Sequence, residues 1–309
     1  MKKYSFIEAL KDSNKEEMKK YFKADLHNHA VFSFDKTHLH KNNITIPKTK
    51  KVNSLTSFKN FAHKYIRPLQ NDKNSLSILL GGTFEKCLQS GIVKVDTNIG
   101  YKICINAFNN NINKFINFLN KFKYKNLEIR WIIDISRDGY LEEHEQLILK
   151  LINSKFFYGI DLTSTENYTP NNKFLKIYNI ANQNGLITKV HCGEQLGAEY
   201  IRQCIIDFNP KQIQHGINIV ESRKTMQLAK KRGLIFNVCP SSNLLLKFVK
   251  TLQNHPISKM IDYGLNVTIG TDDYLLTEND INDEYLKLYK HNILSAKQLD
   301  KIRKFSLTL

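Results

Sequence analysis

Short runs of Ile, Leu and Val recur along the chain at 24–27, 93–98, 127–135, 158–162, 186–191, 212–215, 234–238 and 267–270. Runs of this length and composition are the pattern of strands buried on both faces. Between them, residues 55–69, 110–122, 142–151, 172–184, 221–231 and 280–289 carry apolar positions at helical spacing. Strands alternating with helices predict right-handed crossovers and a parallel sheet. Eight such units predict a (β/α)8 barrel, with a doubly wound open sheet as the alternative.

Polar motifs sit where four of these runs end. His27-Asn28-His29 follows the first, His191-Cys192-Gly193-Glu194 the fifth, His215-Gly216 the sixth and Thr271-Asp272-Asp273 the eighth. In a closed barrel the C-terminal strand ends surround one mouth, whereas strands so far apart in an open sheet would not converge. His27 and His29, two apart on a strand, point the same way, so two imidazoles can grip one ion. Three histidines and an aspartate suit a divalent cation such as zinc. A carboxylate, an imidazole and a second aspartate remain, as activating a water on that metal requires. Each motif alone is weak; the four in barrel order point to a metal-dependent hydrolase mouth.

Composition narrows the setting. The 309 residues are 41% hydrophobic and 24% charged, a globular balance. No linker breaks the chain, so one hydrolase domain is expected over 1–309, opening with an N-terminal helix within 1–22. The polar, Lys-rich stretch 42–54 reads as a loop over the mouth, a candidate lid. No apolar stretch reaches the roughly 20 residues a membrane span needs, and no signal-peptide core follows Met1-Lys2-Lys3. The five cysteines, at 87, 104, 192, 204 and 239, form no C-x-x-C pair, which points to a reducing, cytoplasmic setting and to small buried hydrophobes. The net charge of +17 is spread over scattered lysines without aromatic-basic interleaving, so it reads as a solvated surface rather than a nucleic-acid site.

Asp25-Leu26-His27-Asn28-His29, His191-Cys192-Gly193-Glu194, Gln214-His215-Gly216, Cys239-Pro240-Ser241-Ser242-Asn243 and Thr271-Asp272-Asp273 resemble the ordered motifs of the adenosine deaminase family of amidohydrolase barrels. The resemblance runs from about Lys23 to Tyr289. It implies one zinc per chain, held by His27, His29, His191 and Asp272. It implies that Glu194 delivers a proton to purine N1, that His215 orients and deprotonates the attacking water, and that Asp273 bonds purine N7. His29 and Ser164 join Asp273 as implied substrate contacts. The other zinc deaminase class, with its H-x-E and P-C-x-x-C signature, does not fit Cys239-Pro240-Ser241-Ser242.

Four departures bear on the substrate. Where the family follows its His-x-His with Leu-Asp-Gly, this chain has Ala30-Val31-Phe32, so the ribose-holding aspartate is replaced by an apolar wall at Val31. Ser164 stands where the family has a glycine, and Tyr274 where it has a proline. The sequence ends at Leu309, before the final helices such barrels carry. Glu166 lies where the family often has an acid, without an assigned role. The leading expectation is deamination of adenosine or deoxyadenosine. The runner-up is AMP or a modified, 5′-substituted adenine nucleotide, with lysines of the 36–51 loop meeting the phosphate. A barrel that holds metal and nucleoside without turnover is the third reading.

Overall fold

The computed structural model describes residues 4–49, 52–167 and 172–309. Eight strands lie side by side in chain order: β1 (Lys23–His29), β2 (Ile92–Gly100), β3 (Glu128–Ser136), β4 (Gly159–Thr163), β5 (Ile187–Cys192), β6 (Gln212–His215), β7 (Ile235–Val238) and β8 (Asn266–Ile269). Every neighbouring pair is parallel. The two edges meet through a bridge between Asn28 and Asp272. There the Asp272 N–H donates to the His27 carbonyl at 2.9 Å, and the His29 N–H to the Asp272 carbonyl at 3.3 Å. The sheet therefore closes as a (β/α)8 barrel, which excludes the open alternative.

Alternation along each strand sorts the side chains. Ile160, Leu162, Val190, Ile213, Phe236, Val267 and Ile269 belong to the apolar core. Between them stand polar residues that bond across the interior. Lys189 Nζ donates to Asp96 Oδ2 and to the Leu26 carbonyl, both at 2.7 Å. Asn98 donates to Asp161 at 2.8 Å, and Asn237 to Gln212 and Gln214 at 2.7 Å. A period of two thus gives an apolar outer layer and a polar axis.

The helices depart further from the periodicity. The 55–69 segment is a helix Leu55–Phe61, a π turn Ala62–Ile66 and a helix Arg67–Asn71. Two short helices, Phe6–Lys11 and Lys15–Lys19, replace the single one expected within 1–22. Several helices fall outside the predicted segments, among them Lys73–Gln89, Ala198–Phe208, Ile257–Tyr263 and Ala296–Thr308. The first was hidden by Gly81-Gly82, which reads as a break. The need for glycine is steric: a Cβ on Gly82 would sit 2.7 Å from His38 Cδ2 and 3.0 Å from Phe34 Cβ. The last helix packs on β1 and β8, behind the seam. All five cysteines are buried and unpaired. Among the described residues, no helix is long and apolar enough to cross a membrane.

Candidate active site

β1 ends in His27 and His29, β5 carries His191, and Asp272 follows β8. One ligand atom from each lies within 4.8 Å of the others. His27 Nε2 is 3.1 Å from His191 Nε2, and His29 Nε2 is 3.2 Å from Asp272 Oδ1. The far nitrogens fix the proton positions. His27 Nδ1 lies 3.0 Å from the Asn237 carbonyl, and His191 Nδ1 lies 3.1 Å from Asp161 Oδ1. A carbonyl only accepts. Burial favours the neutral form of Asp161, but His191 and the hydrogen bonds from His191 and Asn98 outweigh it and hold the carboxyl well below its usual range. Both Nδ1 atoms therefore carry the proton, and each Nε2 presents a lone pair. Burial keeps His27 neutral, lowering it to about 3 despite Asp272. Two bare lone pairs facing at this distance, with a carboxylate beside them, fit a divalent cation, and the outer carbonyl and carboxylate are its usual second-layer supports. A second triple, His27, His215 and Cys239, shares His27. Burial pushes the Cys239 thiol far up, so it is no ready ligand.

Glu194 sits beside this cluster, outside the ligand set. Burial, then the charges of Asp272 and Glu166, raise its carboxyl well above the usual range, so it holds a proton. Asn243 Nδ2 donates to Glu194 Oε1 at 2.5 Å, and His215 Nδ1 lies 3.3 Å from the same oxygen. His215 Nε2 is 3.8 Å from Asp272 Oδ2, and burial with His27 nearby holds its ring neutral. His215 and Asp272 both adopt left-handed backbone, with φ of 60° and 58°, a costly conformation for these residues. Asp273 is buried, and its Oδ1 has no hydrogen-bond partner. Burial and the adjacent Asp272 raise its carboxyl well above the usual range, leaving a neutral donor aimed into the cavity.

Three contributors were missed or left without a role by sequence reasoning. Glu166 accepts the backbone N–H groups of Gly193, Glu194, Gln195 and Leu196, at 2.8 to 3.3 Å, and so fixes the turn bearing Glu194. Asn243 belongs to a motif noticed for its resemblance alone, yet it ties Glu194 to His215 and to His255. Asp134, at the end of β3, lines the cavity and accepts Thr163 Oγ1 at 2.5 Å; no motif marked it.

The cavity above these groups holds about 460 Å³. Its apolar wall comes from Phe32 and Phe58, rings 5.2 Å apart, with Leu55 and Ala62. Val31 does not form that wall: it is buried in the core, and the turn that follows β1 brings Phe32 to the cavity instead. The mouth is flanked by the 55–71 helices, and no described residue of 42–54 lines it. Ile46, Thr49 and Val52 are buried, while 50–51 lie outside the described residues. Among the described residues, the cations at the cavity are Lys59, Arg67 and Lys102 rather than lysines of 36–51. Ser164 takes φ of +78°, which explains a glycine preference at this position, and its Oγ donates to Asp138 at 2.6 Å. Lys59 pairs with the same Asp138 carboxylate.

The adenosine deaminase family model matches residues 103–308. The chain belongs to the adenosine deaminase family. It is therefore an aminohydrolase, and the motifs that suggested the family fall at the ends of its barrel strands. A putative adenosine/adenine deaminase of Treponema pallidum is 28% identical over 258 residues, 82% of this chain and 86% of that one. An adenosine deaminase of Plasmodium gallinaceum is 32% identical over 213 residues, 67% of this chain and 58% of the Plasmodium protein. An adenine deaminase structure from Arthrobacter aurescens superposes with a TM-score of 0.78 at 22% identity, covering 93% and 92% of the two chains; at that identity the likeness speaks for the family's barrel alone.

Proposed function

We propose that this chain hydrolyses the exocyclic amine of a 6-aminopurine nucleoside, releasing ammonia, with one zinc held by His27, His29, His191 and Asp272. The observation that carries the reading is the convergence of His27, His29, His191 and Asp272, with the Nε2 atoms of His27 and His191 3.1 Å apart, beside the buried Glu194 carboxyl. Zinc, when bound there, supplies a hydroxide nucleophile at neutral pH. Water must add at C6 while the ring accepts a proton at N1. Glu194, kept neutral by burial, donates that proton. His215, neutral and close to both Glu194 and Asp272, takes the proton of the attacking water. Asp273 offers its unpartnered carboxyl to N7, and Ser164 offers its backbone N–H to the base. The cavity runs past these groups to a wide apolar and basic rim, more room than a free purine fills, which supports a ribosylated base.

Ammonia release from adenine, adenosine, deoxyadenosine and AMP is the test, with zinc-loaded and chelator-treated protein compared. Zinc-dependent release from a ribosylated purine is expected. Glu194→Gln should keep about one metal per chain by elemental analysis and lose roughly 10²–10⁴-fold in kcat. Release from none of these purines, or a Glu194→Gln enzyme at wild-type rate, would overturn the reading.

A further inference from the structure

The acids and bases lining the cavity are sorted by depth. Its carboxyl groups, Asp134, Glu194, Asp272 and Asp273, all sit near the histidines on the floor. Its cations, Lys59, Arg67 and Lys102, are half-buried or exposed and belong to the mouth. Lys59 is already neutralised by Asp138. Arg67 and Lys102 are not: among the described residues, no carboxylate lies within ion-pair distance of either. They also feel one another. Burial, followed by the nearby Arg67 charge, disfavours the charged form of Lys102. Two like charges at one rim without a counter-charge cost free energy, which an anionic ligand would offset.

The backbone aims Arg67 with some care. A π turn over Ala62–Ile66 directly precedes it, and Pro68 follows. A π turn adds a residue to the helical ladder, so it rotates every later side chain; such turns are frequent at functional sites. Without it, Arg67 would face elsewhere on the helix. Lys102 opens the helix Lys102–Phe108 just past β2, and that helix packs against the Arg67–Asn71 helix. Amide side chains of Gln70, Asn71 and Asn106 line the same stretch.

We propose that Arg67 and Lys102 form a subsite for a phosphate on the ribose 5′ carbon, so that the substrate is a 6-aminopurine nucleoside 5′-phosphate. The inference rests on the function proposed above and specifies its substrate. With C6, N1 and N7 turned to the floor, N9 and its ribose point to the mouth. The 5′ carbon is the arm of that sugar that reaches farthest. The planar guanidinium matches two phosphate oxygens, and the ammonium adds a point charge.

The test compares kcat/KM for AMP and adenosine in wild type and in the double variant Arg67→Gln/Lys102→Gln. Calorimetry of IMP against inosine reads the same subsite without turnover. Charge-assisted hydrogen bonds contribute about 1.5–3 kcal/mol, so a preference of about tenfold or more for the phosphorylated partner is expected. It should collapse at least about tenfold in the double variant. A smaller wild-type preference, or one that survives in the variant, overturns the subsite. Should no purine release ammonia, the catalytic reading falls, and the calorimetric comparison still decides the subsite by the same criteria.

Discussion

Glu166 shows how much a single acceptor can organise. Its carboxylate takes four successive backbone N–H groups, so the turn from Gly193 to Leu196 has one geometry. The same charge helps keep Glu194 protonated. Glu166→Gln should therefore do two things while leaving metal content unchanged. An amide offers one acceptor oxygen instead of two, so kcat should fall about ten- to a hundredfold, roughly the 1–3 kcal/mol of a lost buried acceptor. Removing a like charge also lowers the pKa of Glu194. The acid form of Glu194 is then lost sooner as pH rises, and the alkaline limb of the kcat profile should move to lower pH. A fall in kcat with that limb unmoved would reduce Glu166 to a structural part. The sequence made the histidines and paired aspartates readable because their types announce chemistry at strand ends. Glu166 was opaque because its partners are backbone amides 27 to 30 positions away, which no spacing rule encodes.

At the scale of elements, the strands were readable and the helices less so. Buried strands are apolar outward whatever the barrel holds inside, so all eight runs stood out. Helices were lost where a local rule gave way to a neighbour, as at Gly82 against His38, or where a π turn shifted the phase after Phe61. One helix contact makes a pH prediction. Glu284, on the helix Ile281–Lys290, is buried and accepts the Ser241 N–H at 3.1 Å, which anchors the short helix Pro240–Leu245 and its Asn243. Its other oxygen has no partner, and burial raises the carboxyl to about 7 despite Ser241 and Lys287. The folded state thus prefers the neutral acid. The stability this gives is full below the unfolded value near 4.5 and is lost as pH rises through about 7. Glu284→Gln keeps the acceptor and removes the ionisation. It should stabilise the protein at pH 8 by up to about 3 kcal/mol, with the advantage shrinking towards pH 5. Urea unfolding at the two pH values measures it, and a pH-independent difference would contradict the assignment.

For the whole molecule, the barrel and its ligand geometry support one another. Four motifs far apart in sequence share a mouth only because the sheet closes, and that mutual dependence made the architecture legible before any coordinate. The reach of the 42–54 stretch was not legible, because Ile46, Thr49 and Val52 spend it on packing while helices of 55–71 wall the mouth.

The closure itself is thin. Seven strand pairs carry ladders, but the first and last strands meet through one bridge and two backbone hydrogen bonds around Asp272. The candidate ligands straddle that line, with His27 and His29 on one side and Asp272 on the other. A cation bound there would act as a rivet through a rolled sheet, cross-linking positions about 245 residues apart and shrinking the freedom of the unrolled chain. Loading should then be a mechanical event as much as a chemical one. The melting temperature should climb with free zinc, and the amides of His29 and Asp272 should exchange faster once the ion is stripped. If both stay put when the metal leaves, the backbone bridge and the side chains around it keep the barrel shut unaided, and an ion could leave without the fold beginning to come apart.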